Sequence, residues 1–297
     1  MQLDDLPFAA GDWRLALGLK PLLVQDWIKI DEHYAEQLRL RDRLMGDRHD
    51  EVFAALPGSE AGQQESLELL LSHLLHCFPQ HYQQQGDDIH NLTTGQRWRL
   101  GDMPPLELAG RLVQEDLCLM EPGEQGYVLT AAALCFPLRW RLREKIGLPL
   151  GQIHAHVPDY DRKLARPVDS VFDRLKPEYP GYRLNWSIVD APDLFLEQPK
   201  HQQTLNPDIT PENAGDRLWI RAERQTLRRL EQTGGIVFAI HTYVEPLRVL
   251  AHRPQLARNL AIALQEIPQA MQLYKNLPMI EQALLGYLDQ ISALTLS

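Results

Sequence analysis

Two histidines separated by one residue, His154 and His156, are the first candidate metal ligands in this sequence. Neutral imidazole binds iron well, so either ring is a candidate axial ligand of an iron centre. The competing interpretation is a loop histidine that hydrogen-bonds to the backbone, and the spacing alone favours it. A second pair, His73 and His76, lies on a leucine-rich helical segment, where packing or surface placement is the better interpretation.

Charged and amide side chains alternate along a second segment, which runs from Arg221 to Leu227. In an extended strand, Arg221, Glu223 and Gln225 share one face, whereas Arg224 lies on the other. Charges buried in a sheet cost free energy unless they are paired or face a cavity. The pattern therefore predicts either a solvated sheet face or the polar wall of a cavity.

A third segment, Tyr182 to Ile188, also alternates, with Arg183, Asn185 and Ser187 on the face opposite Trp186. These polar residues again indicate either a wet face or a binding surface. A basic cluster, comprising Arg139, Arg141, Arg143 and Lys145, can grip carboxylates, although a solvated cluster is the simpler interpretation. Glu115 and Asp116 are adjacent, so in a strand they face opposite ways and form no acid–base pair.

The elements that must position these residues fall into three zones. Residues 1–104 are predicted to be helical, residues 105–248 form a β-rich core, and residues 249–297 are helical again. In the first zone, Asp31 is expected to cap a helix that runs to Met45. The leucine spacing over Gln63–Cys77 predicts a second helix, which Pro79 ends.

The core begins with strands over Val113–Met120 and Tyr127–Phe136, followed by short helical turns over 144–154 and a helix over Asp161–Leu175. Strands follow at 182–188, in the first half of 218–230 and at 236–243. This is the chain order of a PAS domain, in which a five-stranded antiparallel sheet and short helices enclose a ligand. The predicted fold class is thus α+β, with a PAS-like antiparallel sheet core and N- and C-terminal helical segments. The Pro- and Asn-rich stretch 191–217 is predicted to be a loop or lid.

Composition excludes several function classes. The formal net charge of −10 argues against nonspecific nucleic-acid binding, which needs a basic face. No apolar run approaches the ~18 residues of a membrane span, and the acidic N-terminus lacks a signal-peptide pattern. Three separated cysteines form neither a disulfide framework nor a Cys-x-x-Cys nest, which is typical of a reduced cytoplasmic protein. No dinucleotide or nucleoside-triphosphate motif is present.

At these same residues the chain resembles a known family, the α-subunit-like proteins of haem-dependent oxidative N-demethylase, or dimethylamine monooxygenase. The similar stretches, which extend over nearly the whole chain, include Leu112-Val-Gln-Glu-Asp-Leu-Cys-Leu119, Leu134-Cys-Phe-Pro-Leu-Arg-Trp140, Ile153-His154 to Val157-Pro158, Arg183-Leu-Asn-Trp-Ser187, Arg221-Ala-Glu-Arg-Gln-Thr-Leu227 and Thr242-Tyr243. The resemblance implies a PAS-like core that binds haem b. It also implies the oxidative removal of a methyl group from a small alkylamine, which is released as formaldehyde.

The resemblance also implies roles for individual residues. His154 becomes the first candidate for the iron ligand, ahead of His156 and His241. Haem binding is implied for His154, Arg183, Asn185 and Arg221, and the implied catalytic residues are Glu223, Arg224 and Tyr243. Of these, Glu223 or Tyr243 is expected to hold an ammonium substrate. One cavity between the sheet and the 144–175 segment is expected to bring together six of the side chains: His154, Arg183, Asn185, Arg221, Glu223 and Arg224.

The implied chemistry needs partners that the sequence does not encode. Because the chain has neither a dinucleotide fingerprint nor a cysteine cluster, electrons are expected from a separate flavin or iron–sulfur reductase. The other expected partners are O2 and a small methylated amine, with no nucleic acid and no membrane. Two other functions remain open at this point: a non-catalytic haem-binding PAS-type sensing module, and a haem-free family member with a structural role.

Overall fold

A computed structural model describes residues 2–197 and 205–293 of the chain. The strands are β1 (Lys20–Pro21), β2 (Phe53–Ala55), β3 (Tyr82–Gln85), β4 (Asp88–Asn91), β5 (Arg97–Arg99), β6 (Asp116–Gly123), β7 (Gly126–Ala133), β8 (Gly181–Val189), β9 (Trp219–Arg229) and β10 (Ile236–Pro246). The helices are α1 (Tyr34–Asp47), α2 (His49–Val52), α3 (Glu60–Cys77), α4 (Pro105–Leu112), α5 (Leu150–Ile153), α6 (Tyr160–Lys163), α7 (Ala165–Arg174), α8 (Ala214–Arg217), α9 (Pro254–Glu266), α10 (Gln269–Tyr274) and α11 (Glu281–Ala293).

Seven strands form the main sheet, in the order β1-β8-β9-β10-β6-β7-β2, and every neighbouring pair is antiparallel. The five inner strands come from residues 105–248, in the predicted chain order of two strands, helices and three strands. The prediction of an α+β fold with an antiparallel sheet is therefore confirmed. Its PAS-like character stays a prediction, as does the division at residues 104 and 248. The short outer strands β1 and β2 both come from the N-terminal zone.

The two faces of this sheet differ in what covers them. One face carries Arg183, Asn185, Glu223 and Gln225, and we call it the cavity face. The helices α5, α6 and α7 cover part of it through an apolar cluster that includes Leu150, Tyr160, Val168, Phe172 and Leu227. The opposite face carries Arg224, His241 and Tyr243, and we call it the closed face. Helices α1, α3 and α4 pack over one part of the closed face, and the C-terminal helices pack over another.

Several elements differ from their predicted bounds for clear reasons. The first helix begins at Tyr34, so the predicted cap Asp31 lies two residues before the observed N-cap, His33, whose backbone N–H donates to the Asp31 carboxylate. The predicted helix over Asp161–Leu175 is split into α6 and α7 at Leu164, with Pro167 in the first turn of α7, where a proline needs no N–H partner.

The N-terminal zone is not wholly helical. Strands β3, β4 and β5 form a separate three-stranded antiparallel sheet, held at its centre by the buried side chain of Ile89. Strand β9 also extends over the whole of the 218–230 segment rather than its first half. Part of the predicted loop or lid at 191–217 is the short helix α8, and residues 198–204 of that prediction lie outside the described residues.

Candidate functional site

A cavity of about 1060 Å³ lies between the cavity face and the helices α5 to α7. Ligand pockets in proteins usually measure about 300–1,000 Å³, so this one has room for a cofactor and a small substrate. Its apolar wall comes from strands β6, β9 and β10 and from the covering helices, with the following side chains: Cys118, Met120, Leu227, Phe238, Leu150, Ile153, Leu164, Val168 and Phe172. The polar wall comes from β8 and β9, and residues 12–18 and α10 close the remaining side.

His154 lines this cavity directly after α5, which begins behind Pro149. Its Nδ1 lies 2.9 Å from the carbonyl oxygen of Leu150, and its ring stacks on Tyr160 with 4.7 Å between ring centroids. Because a carbonyl only accepts, Nδ1 carries the proton and donates it, which leaves the lone pair on Nε2. Iron-ligating histidines are commonly oriented in this way, by a carbonyl that binds the second ring nitrogen.

The other two candidate histidines are placed differently. His156 is exposed at the edge of the same cavity. His241 is fully buried on the closed face, where its Nδ1 lies 3.0 Å from Glu115 Oε1 and its Nε2 lies 3.1 Å from Asp31 Oδ2. Both nitrogens of His241 therefore already have carboxylate partners outside the cavity.

Four polar side chains meet on the cavity face, and we call Arg183, Asn185, Glu223 and Gln225 the polar quartet. They occupy facing positions on β8 and β9, since Arg183 lies opposite Gln225 and Asn185 lies opposite Glu223. Gln225 Nε2 donates to Glu223 Oε2 at 2.8 Å, and Asn185 Nδ2 approaches the same oxygen at 3.3 Å. Arg183 Nη1 donates to Gln225 Oε1 at 3.2 Å. All four side chains line the cavity.

Three members of the predicted basic cluster, Arg139, Arg141 and Lys145, also line the cavity. Arg139 forms an ion pair with Asp190 at 2.7 Å, and Arg141 lies 4.0 Å from Glu197. Lys145 Nζ donates to the carbonyl oxygen of Ile153 at 2.9 Å, close to His154. Arg139 adopts the left-handed region with a φ of 57°, which is uncommon for a residue with a β-carbon and is frequent at functional sites.

Arg221 does not join the polar quartet, although it shares the cavity face. Its buried guanidinium donates to the main-chain carbonyls of Phe136, Asp193 and Leu194 at 2.7–3.1 Å. These hydrogen bonds therefore hold the loop that follows β8 against the loop that follows β7. The expectation that Arg221 lies in the cavity is wrong, because these carbonyls hold the side chain beyond its wall.

Arg224 and Tyr243 lie on the closed face. The expectation that Arg224 lies in the cavity is therefore wrong, and Tyr243, the alternative to Glu223 for holding the ammonium group, lies away from the cavity. Arg224 donates to the carbonyl oxygen of Trp27 at 3.0 Å and to that of Asp26. Tyr243 packs beside His241, with ring centroids 4.5 Å apart. Alternation along β9 and β10 forces this result, since Arg224 must point away from Glu223 and Tyr243 lies opposite Ala222.

Sequence reasoning missed two residues of α10 and its C-terminal end that reach the cavity. Tyr274 and Lys275 are both part of the cavity lining. Lys275 Nζ donates to the carbonyl oxygen of Trp186 at 2.7 Å. Burial raises the pKa of Tyr274 to about 12, and the charge of Glu223 adds to this effect. The Tyr274 hydroxyl therefore stays protonated near Glu223. Helical spacing alone gave no sign that this end of α10 faces a cavity.

Sequence reasoning also missed the ionic cluster on the closed face. It joins Asp31, Glu115 and His241, with Gln114 as a further hydrogen-bond donor to Asp31 at 2.7 Å. Asp31 and His241 lie 210 positions apart in the chain, so no local pattern connects them.

One comparison with known proteins bears on this site. A family model described as "Haem-dependent oxidative N-demethylase, alpha subunit-like" matches residues 18–285, a range that contains the polar quartet, His154 and α10. Separately, no helix in the described part of the chain is long and apolar enough to cross a membrane.

Proposed function

The chain belongs to the haem-dependent oxidative N-demethylase, alpha subunit-like family, and we propose that it binds haem b in the cavity and removes a methyl group from a small alkylamine. In this reaction one oxygen atom of O2 enters the departing methyl carbon, which leaves as formaldehyde, and the other becomes water. The balance requires two electrons and two protons from outside the chain. We propose that a flavin or iron–sulfur reductase supplies the electrons, in keeping with a family named for one subunit of a larger enzyme.

The residues of the cavity fit a haem. The apolar wall suits the macrocycle, and the His154 ring, with its proton on Nδ1, presents the Nε2 lone pair that an axial ligand needs. Arg139, Arg141 and Lys145 line the same cavity as His154 and can hold propionates by charge-assisted hydrogen bonds. The proposed protein ligands are thus His154 for the iron and this basic group for the carboxylates.

When bound, the haem supplies the activation of O2. The protein's own contribution is to bind and orient the amine. Glu223 is half-buried, and no cationic partner of its carboxylate occurs among the residues that the structure describes, where its bonds come from the amides of Asn185 and Gln225. An ammonium group can therefore pair with it without displacing an existing ion pair. The neutral hydroxyl and ring of Tyr274 line the same region and shield this pairing from water.

The observation that carries this proposal is the presence of an imidazole, His154, and a carboxylate without a described ion-pair partner, Glu223, in the lining of one large cavity. The test compares two variants for haem content and for formaldehyde release with a reductase, O2 and a methylated amine. His154→Ala is expected to lose haem, because only packing and propionate contacts would remain. Glu223→Gln is expected to keep haem and to bind the amine roughly tenfold or more weakly, because it removes the charge and preserves the shape.

His156→Ala serves as the matched control, since this ring lies at the edge of the cavity and is exposed. It should retain both haem and activity. A His154→Ala protein with an unchanged Soret band would overturn the assignment of the iron ligand. Stable haem binding without formaldehyde from any of a panel of methylated amines would favour the sensing module, and the absence of haem from wild type would favour the structural role.

A further inference from the structure

Arg183 is the charge in the cavity that the proposed function leaves without a clear purpose. Its half-buried guanidinium donates to Gln225, and within residues 2–197 and 205–293 it forms no ion pair. Its Nε is buried with no hydrogen-bond partner. Two other arginines of the cavity differ, because Arg139 and Arg141 have the carboxylates of Asp190 and Glu197. A buried guanidinium with an unsatisfied donor is costly and calls for an anionic ligand.

Glu223 complements Arg183 on the same wall. Arg183 lies opposite Gln225, and Glu223 is two positions along from Gln225, so the two charges occupy a diagonal of the sheet. Diagonal neighbours on one face have backbones about 7–8 Å apart. Gln225 bridges them, accepting from Arg183 and donating to Glu223, and thus holds the charges apart and oriented. Burial lowers the pKa of Arg183, and the charge of Glu223 opposes this.

The charge balance of the polar quartet also bears on the substrate. A simple alkylammonium would pair with Glu223 but would be repelled by the guanidinium across the diagonal. A ligand with both an ammonium and a carboxylate would pair with Glu223 and with Arg183 at the same time. Guanidinium is also the side chain that binds carboxylates in a planar, two-bond geometry.

We propose that the polar quartet binds a zwitterionic N-methylated amino acid, with its carboxylate on Arg183 and its methylammonium on Glu223. This rests on the proposed function and specifies its substrate class. Demethylation would give formaldehyde and the parent amino acid, with the same oxygen, electrons and protons as above. A propionate of the proposed haem could also supply a carboxylate to Arg183, and the experiment separates these two sources.

The experiment measures dissociation constants by calorimetry and by perturbation of the Soret band of the haem-loaded protein. The probes are dimethylamine, N-methylglycine and N-methylethanolamine, the last of which replaces the carboxylate by a neutral hydroxyl. N-methylglycine is expected to bind roughly 10- to 100-fold more tightly than the other two, as an added charge-assisted pair would give. Arg183→Gln should remove this preference, because dimethylamine and N-methylethanolamine have no carboxylate for Arg183 to bind. Glu223→Gln should weaken all three.

The exposed Arg166 of α7 supplies the matched control, since Arg166→Gln removes the same charge from outside the cavity. It should leave the preference intact. Equal affinity for all three probes in the wild type would overturn the proposal. So would an Arg183→Gln protein that keeps the preference but loses haem, which would assign Arg183 to a propionate. Arg183→Lys, which keeps the charge and loses the planar fork, covers the case in which Arg183→Gln does not fold.

Formaldehyde is assayed in parallel, so that the two proposals can fail separately. Formaldehyde from dimethylamine without preference for N-methylglycine would leave the proposed function standing and remove the zwitterion site. A strong, Arg183-dependent preference for N-methylglycine without any formaldehyde would support the zwitterion site and remove the proposed function.

Discussion

The charged groups at the centres of the two faces of the main sheet are arranged in different ways. On the closed face, His241 lies between the carboxylates of Asp31 and Glu115, and Arg224 is held by two main-chain carbonyls. On the cavity face, Arg183 and Glu223 contact neutral amides instead. His241 and Arg224 thus bind charged and polar groups of the protein itself, whereas Arg183 and Glu223 leave room for the charges of a ligand.

This difference separates two roles that look the same in a sequence. A charge whose partners are fixed by the fold contributes to stability, and removing one partner exposes the other to an apolar surrounding. A charge held only by amides contributes little to stability and is available for binding. The predictions below test whether the two faces differ in this way.

The largest effect is expected for His241→Ala on the closed face. This change leaves Asp31 and Glu115 close together without the cation between them, and Glu115 is almost fully buried. Breaking a buried ionic arrangement in this manner costs about 3–5 kcal/mol of the free energy of unfolding. Urea unfolding followed by circular dichroism measures the loss.

The control for this prediction is His156→Ala, which removes an exposed ring. Surface substitutions of this kind usually change stability by less than about 0.5 kcal/mol. If His241→Ala were as stable as His156→Ala, the closed face would not have the structural role assigned to it.

The pH dependence of stability is the next effect in size. Burial alone would lower the pKa of His241, but the charge of Glu115 and the hydrogen bonds to Asp31 and Glu115 outweigh it and raise the pKa to about 9. Because the folded state raises this pKa, protonation of the His241 ring stabilises the fold. This contribution is complete below the unfolded-state pKa of about 6.5 and is lost as the pH rises towards 9. It amounts to about 3 kcal/mol, since one pKa unit corresponds to ~1.36 kcal/mol.

Asp31 affects the acid side of the same profile. Burial opposes ionisation, yet hydrogen bonds from His241 and Gln114 hold the pKa of this carboxyl well below its usual range. Its contribution is therefore present above the ordinary pKa of about 4 and is lost as the pH falls below it. Unfolding curves from pH 5 to 10 should show wild-type stability falling on the alkaline side, and His241→Ala should lose most of that slope. A wild-type profile that is flat from pH 6.5 to 9 would contradict this account.

The sequence correctly predicted which face of the sheet these polar side chains lie on, but not which elements cover each face. Strict alternation correctly placed Arg183 with Asn185, and Glu223 with Gln225, opposite Trp186 and Arg224. A period of two residues fixes the side of a side chain, but not its distance from a cavity. Arg221 therefore shares the correct face and still lies outside the site, where main-chain carbonyls hold it. For Arg224, the family resemblance implies a place beside Glu223 whereas the alternation predicts the opposite face, and the structure agrees with the alternation.

Other features have no local signal at all. The closed-face cluster depends on contacts between residues more than 100 positions apart, such as His241 with Glu115. The sheet of β3, β4 and β5 consists of strands of three or four residues, too short for a period to appear. His154 lines the cavity in the structure, but that place was expected from the family resemblance and not from a local pattern. Its role as iron ligand stays a prediction.

The smallest change in stability is expected when both charges of the cavity face are removed together. The double variant Arg183→Gln, Glu223→Gln replaces Glu223 by an amide of the same shape and Arg183 by a shorter, neutral amide, and the hydrogen bond from Gln225 to residue 223 can be kept between amides. Two desolvated charges disappear, and neither leaves an opposite charge without its partner. We expect a free energy of unfolding within about 1 kcal/mol of wild type, from the same urea experiment. Each single variant should be less stable than the double variant, because it leaves the remaining charge without the opposite charge across the diagonal. A loss of several kcal/mol in the double variant, comparable to that of His241→Ala, would show that the polar quartet supports the fold in the same way as the closed face does.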